Sequence, residues 1–233
     1  MNFLLINSVL FFVAKSHMIK YGTISAVDNR TKQIIIDNAV KVVKKYAARG
    51  LIAHEIMADN EFKPITDAVA PAFVNLAAAG EHVGYIEVFL RVIQEGAQCI
   101  HHALPYGLRW PRVMTVSLTE YIMAMKNDFP AKVGASTTMS PATIVNGRRP
   151  LDSSKLTLPF GTYIHLNVDT NNLTNTMKQC AVPSICLGPS SNTQGTYRFM
   201  SLDTGLCLHG RTRKHLPITS NIIETVHNLG PKQ

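Results

Sequence analysis

Residues 2–14 read NFLLINSVLFFVA, two apolar runs split by Asn7 and Ser8. This stretch constrains the fold more than any other. FLLI and VLFFVA are rich in residues favoured in strands and are short enough to be strands. Asn-Ser between them is the composition of a two-residue turn. A hairpin within a buried sheet is expected, with YGTISAV (Tyr21–Val27) as its third strand. A secretory signal would instead need a cation ahead of the apolar run and small residues after it. Here the first cation, Lys15, follows the run, so the chain is read as not secreted. The sequons at Asn29 and Asn172, which matter only in a secreted chain, are then accidental.

With 233 residues the chain can bury one large core or two modest ones. Its 46% hydrophobic and 16% charged content is that of a globular protein. No apolar run reaches the roughly 18 residues that a membrane span requires. Lys and Arg number 23 against 15 Asp and Glu, and most of the excess falls beyond residue 145. That balance suits an acidic partner such as nucleic acid, and equally a solvated basic face. The four cysteines (Cys99, Cys180, Cys186 and Cys207) form no CxxC and are too scattered for a disulfide framework. Cys99, His101 and His102 lie close in sequence, but zinc would need further ligands at suitable spacing. Reduced thiols in an intracellular protein are the expectation.

Further along, Thr31 is placed to cap a helix running to about Arg49 and closed by Gly50, with Ile35, Ala39, Val42, Val43 and Tyr46 on its apolar side. LIAHEIMA reads as a fourth strand delivering Asp59 at its end, KPITDAVAP as a short helix, and FVNLAAA as a fifth strand. Three strands, helix, strand, helix, strand is a mixed α/β plan. A long helix over about 83–104 buries Ile86, Phe89, Leu90, Ile93, Ala97 and Ile100. Glu87, Arg91, Gln94 and Gln98 form a polar stripe along it. Pro111 can open another helix. Residues 130–155 are rich in Pro, Gly, Ser and Thr, as a linker would be. FGTYIHLNV, SICLG, TYRFMSL and GLCLHGR then have the spacing of a small antiparallel barrel. Trp110 reads as a packing anchor between helices rather than a base-stacking group.

Asp59 and Glu87, brought together by a strand–helix–strand–helix stretch, could cage Mg²⁺. As ordinary strand-end carboxylates they would instead cap helices or face water.

MADNEF (Met57–Phe62) and EHVGYIEVFLRVIQE (Glu81–Glu95) resemble the second half of a retroviral-type integrase core. SPATIVNGRRP (Ser140–Pro150), LPFGTYIHL (Leu158–Leu166) and SICLGPSSNTQGTYRFMSLDTGLCLHGR (Ser184–Arg211) are similar, in order and spacing, to the segment after that core in copia-type LTR retrotransposon polyproteins. The resemblance runs from about residue 2 to about residue 228, and it lays the family's first two core strands on MNFLLINSVLFFVAK.

The resemblance implies a ribonuclease H-like core with a five-stranded mixed sheet flanked by helices, followed by a small SH3-like β-barrel. In these terms 1–128 is the core, N-terminally truncated, 129–155 a linker arm, 156–216 the barrel, and 217–233 a C-terminal helix and tail. It implies a fragment of an element's polyprotein, or a gene derived from one. It also implies DNA integration by Mg²⁺-dependent phosphoryl transfer, a DNA partner, a possible homo-oligomer, and nuclear localisation, with no membrane or small-molecule substrate.

Asp59 and Glu87 match two of the family's three catalytic, metal-holding acids. The third position falls on Asn2, a neutral amide. The gap between Asp59 and Glu87 is shorter than the family's, two expected glycines after Asp59 are missing, and Val88 replaces the usual Arg. Catalysis is therefore expected to be impaired, the alternative being a non-catalytic DNA-binding or structural remnant. Arg91, Gln94 and Gln98 share the helix that faces DNA in the family. Arg148 and Arg149, with Arg211, Arg213 and Lys214, are candidates for phosphate contacts.

Overall fold

The computed structural model describes residues 1–78, 84–107, 110–147, 156–167, 181–190, 195–211 and 213–230. The chain divides into two compact units. One holds Met1–Ala97 and Ile122–Leu151, and the other holds Gln98–Tyr121 and Asp152–Gln233.

The first unit is built on the expected hairpin. β1 (Asn2–Ile6) and β2 (Val9–Lys15) pair antiparallel from Ile6↔Val9 to Asn2↔Val13. Asn7 and Ser8 turn the chain with φ of 46° and 62°. Positive φ at both central residues is what a two-residue turn needs to match the twist of its strands. β3 (Gly22–Val27) completes an antiparallel ladder in the order β1-β2-β3. In the central strand Phe11, Phe12, Val13 and Ala14 are all buried, as befits a strand covered on both faces.

On one face lies α1 (Lys32–Ala47), which buries Ile35, Asn38 and Ala39 and leaves Lys41, Lys44 and Lys45 exposed. Gly50, at φ 68°, closes it, its N–H donating to the Ala47 carbonyl. β4 (Glu55–Ala58) and β5 (Phe73–Leu76) form a parallel pair, connected through a 3₁₀ helix at Asn60–Ile65. Phe62 of that helix stacks on Phe3 (centroids 5.3 Å apart) and meets Phe12 edge-on (5.8 Å). Ile35, Ile56, Ile65, Val69 and Val74 extend this core.

Sequence predicts one five-stranded sheet, whereas the strands form ladders of three and two. The start of β1 still meets β4, because the Met1 amino group donates to the Met57 carbonyl at 2.6 Å. The side chain of Asn2 accepts from the Phe3 N–H at 2.7 Å, so that donor is not offered to a neighbouring strand.

The other face of the β1-β2-β3 sheet packs on α2 (Gly84–Ala103) and on the end of α3 (Arg112–Asp128). Contact is closest at Gly22, where a Cβ would stand 2.4 Å from Met123 Sδ and 2.7 Å from Phe89 Cζ. Asn127 grips the same glycine from α3. Its Oδ1 accepts from the Gly22 N–H and its Nδ2 donates to the Gly22 carbonyl, each at 2.8 Å. Within the stretch that composition marks as a linker, α4 (Pro141–Asn146) forms. Ser140 caps it by accepting from the Thr143 N–H, and Pro141, Ala142 and Val145 are buried.

In the second unit, β6 (Tyr163–Asn167), β7 (Ala181–Pro189), β8 (Tyr197–Ser201), β9 (Cys207–Gly210) and β10 (Arg213–His215) form one antiparallel sheet in the order β10-β6-β7-β8-β9. Among the described residues no ladder joins β9 to β10, so the expected closed barrel is an open sheet there. It is nevertheless strongly curled. Its two edge strands are consecutive in sequence, and Gly210 and Arg213 cannot be more than about 11 Å apart. Gly210 lies against Leu166 of β6, and Arg213 of β10 covers the ring of Tyr197 of β8 at 4.3 Å. Ile164, Leu166, Cys186, Tyr197 and Phe199 fill the interior. Trp110 is buried, its ring 4.7 Å from His101 and 6.2 Å from Phe160. Tyr106 donates to the Gly161 carbonyl at 2.6 Å, and His227 of α5 (Ser220–Leu229) bonds the Tyr106 carbonyl.

Candidate functional site

One end of the first unit's sheet carries Asn2 and is tied to the elements that bear Asp59 and Glu87. The registers Asn2↔Val13, Val13↔Ile24 and Lys15↔Gly22 put the start of β1, the end of β2 and the start of β3 at the same end. The Met1–Met57 hydrogen bond brings the end of β4 there too. The hydroxyl of Tyr85, in the first turn of α2, donates to the Ser16 carbonyl at 3.3 Å, which ties that turn to the same region.

Asp59 follows β4, is partly buried, and begins the 3₁₀ helix. Its backbone carbonyl accepts from Phe62 N–H at 2.9 Å, but its carboxylate caps nothing. Its negative charge faces the Met1 amino group. Burial pushes that amine down to about 6, and the charge of Asp59 works against the shift. Glu87 is exposed on the first turn of α2, and Arg91, Gln94 and Gln98 are exposed further along the helix. Asn2 is half-buried with its one acceptor oxygen held by Phe3 N–H.

A cage for two divalent cations needs several anionic groups around them. Among the described residues no three His, Cys, Asp or Glu side chains gather closely enough to hold a metal ion. With a neutral, hydrogen-bonded amide at Asn2, the residues present do not fit a two-cation cage. The Cys99–His101–His102 stretch assembles no zinc site among the described residues either. Cys99 and Cys207 are exposed free thiols, while burial pushes the Cys186 thiol up to about 11.

Arg148 and Arg149 lie outside the described residues. Arg211 and Lys214 are exposed. Arg213 is structurally engaged, donating to Thr157 Oγ1 and to the Arg211 carbonyl at 2.9 Å each, besides covering Tyr197.

Sequence reading missed a basic and aromatic cluster at the β2–β3 turn. Around the Tyr85 ring stand Lys15 Nζ at 4.5 Å, Lys20 Nζ at 4.9 Å and the His17 ring at 5.0 Å. Lys15 Nζ is also 4.2 Å from the Phe89 ring. Beside them Lys45 Nζ lies 4.8 Å from the ring of Tyr21, and Tyr46 donates to the Tyr21 carbonyl at 3.2 Å. The basic run KSHMIK was a visible signal, but its aromatic partner on α2 is far away in sequence.

No family model matches the chain, and no curated protein matches it. Among solved structures it is similar to the simian T-cell lymphotropic virus intasome in complex with PP2A regulatory subunit B56 gamma. The identity is 12%, over 94% of this chain and 80% of that one, with a TM-score of 0.36. No helix among the described residues is long and apolar enough to cross a membrane.

Proposed function

We propose that this chain is a DNA-binding protein built on an integrase-type, ribonuclease H-like core of copia-retrotransposon descent, with DNA joining impaired. The observation that supports this reading is that hydrogen bonds tie the end of β4, which Asp59 follows, and the first turn of α2, which bears Glu87, to the sheet end where Asn2 begins β1. Those are the positions the motif resemblance assigns to the three acids. The order of motifs along the chain and the surplus of cations support DNA as the partner. In the parent family three carboxylates hold Mg²⁺ for phosphoryl transfer. Here Asp59 and Glu87 are the retained pair and Asn2 stands in the third place.

The non-catalytic reading is favoured by Asn2 itself, since a neutral amide offsets no charge in a cage of divalent cations. Removing one charged member of a close set typically costs several kcal/mol, and about 1.4 kcal/mol is already tenfold. Binding to unrelated duplex DNAs, followed by fluorescence anisotropy across a salt series, tests the function proposed. Weak, sequence-independent binding that falls steeply with salt is expected. Absence of binding at 50 mM salt would end the DNA assignment.

A further inference from the structure

We propose that Lys15, His17 and Lys20, set around Tyr85 at the β2–β3 turn, form a built site for the phosphodiester backbone of DNA, beside the Asp59–Glu87 end of the sheet. The inference rests on the DNA-binding reading and deepens it by naming where the backbone sits. Two lysine ammonium groups converge on one aromatic ring, beside the His17 ring, although like charges repel. Among the described residues neither Lys15, Lys20 nor Lys45 has a carboxylate within ion-pair distance to relieve that repulsion. Contact with an aromatic face is a weak compensation at a partly exposed site. An anion placed between the cations would supply the missing charge.

The groups are held before any ligand arrives. Ser16 N–H donates to the Tyr21 carbonyl at 2.9 Å, and Ile19 N–H donates to Ser16 Oγ at 3.2 Å, closing a tight turn. Lys20 sits in that turn at φ 66°. The Tyr85 hydroxyl is fixed on Ser16, and the Lys15 ammonium is held 4.2 Å from the centre of the Phe89 ring. Tyr85 also belongs to the first turn of a 20-residue helix, whose positive end adds to the field of the lysines.

A chain of phosphates fits better than a single anion. Lys45 over Tyr21 extends the basic line, and exposed Lys44 and Arg49 lie near it on the same stretch of chain. The Tyr85 ring is covered by cations, so the cluster offers phosphate contacts rather than a face for stacking bases. Contacts of that kind position a duplex without reading its sequence.

The test is anisotropy of the full chain on two unrelated 20-base-pair duplexes between 50 and 200 mM salt. The variants are Lys15→Gln/Lys20→Gln, its charge-keeping counterpart Lys15→Arg/Lys20→Arg, and a control that loses the same charge elsewhere, Lys32→Gln/Lys63→Gln. Circular dichroism melts establish that each is folded. The slope of log K against log salt should fall by about 2 in the Gln pair, at roughly 0.9 per phosphate contact. The loss should be equal on both duplexes, while the Arg pair and the control keep at least most of the slope. Equal slopes in the Gln pair and the control would overturn the site while leaving DNA binding in place. A parent chain that binds neither duplex would overturn the functional reading and the site with it. Binding to phosphatidylserine vesicles but not to DNA, lost in the Gln pair, would assign the cluster to lipid headgroups instead.

Discussion

Asn127 shows how much one side chain can carry. Its amide satisfies both backbone groups of Gly22 in a buried setting, 105 residues away in sequence. Asn127→Leu leaves a buried donor and acceptor unpaired, at about 1–3 kcal/mol each. Urea denaturation should show a loss of about 2 kcal/mol or more. A variant within 0.5 kcal/mol of the parent would mean that water replaces the amide. Nothing local marks this pair, because the demand for glycine at position 22 comes from Phe89 and Met123 on distant helices. Asp59 and Glu87, by contrast, are singled out by motif-like text alone, and their roles belong to the proposal. His101 yields a pH prediction. Burial against Trp110, and then the neighbouring His102, hold its imidazole below the ordinary value of 6.5. Below pH 6.5 the unfolded chain takes up a proton that the folded one resists, so this group lowers stability as the pH falls through that value. The fall in melting temperature from pH 7.5 to 5.5 should therefore be smaller in His101→Gln. An unchanged fall would remove His101 from the account.

At the scale of elements, the hairpin was readable because its information is local: two short apolar runs and a two-residue turn. The turn is not ideal, since Asn7 and Ser8 both pay for positive φ. Asn-Gly is the favoured pair for this turn type. Ser8→Gly should stabilise the first unit by about 0.5–1 kcal/mol, seen as a raised urea midpoint with unchanged slope, and a lowered midpoint would contradict the turn geometry. The small helix α4 was missed because Pro, Ser and Gly suggest a linker by composition. Position decides otherwise: Ser140 is the cap, Pro141 the first helical residue, and Gly147, at φ 64°, the stop. In the second unit, strand spacing gave the strands but not whether the sheet closes. Closure depends on pairing between β9 and β10, whose few residues carry no register signal.

At the scale of the whole molecule, most of the succession of strands and helices was legible, because it is a one-dimensional pattern. The basic cluster around Tyr85 was not, because it exists only once α2 has packed on the end of β2. The proposed function holds that this molecule keeps the scaffold and the DNA affinity of an integrase-type core but lacks a working set of acids. It is tested most directly by a strand-transfer assay, with Mg²⁺ and then Mn²⁺, on the unmodified chain, on Asn2→Asp, and on Asn2→Asp/Asp59→Ala. The account predicts no joined product from the unmodified chain, measurable product from Asn2→Asp, and its loss in the double variant. Robust joining by the unmodified chain, abolished by Asp59→Ala alone, would contradict it.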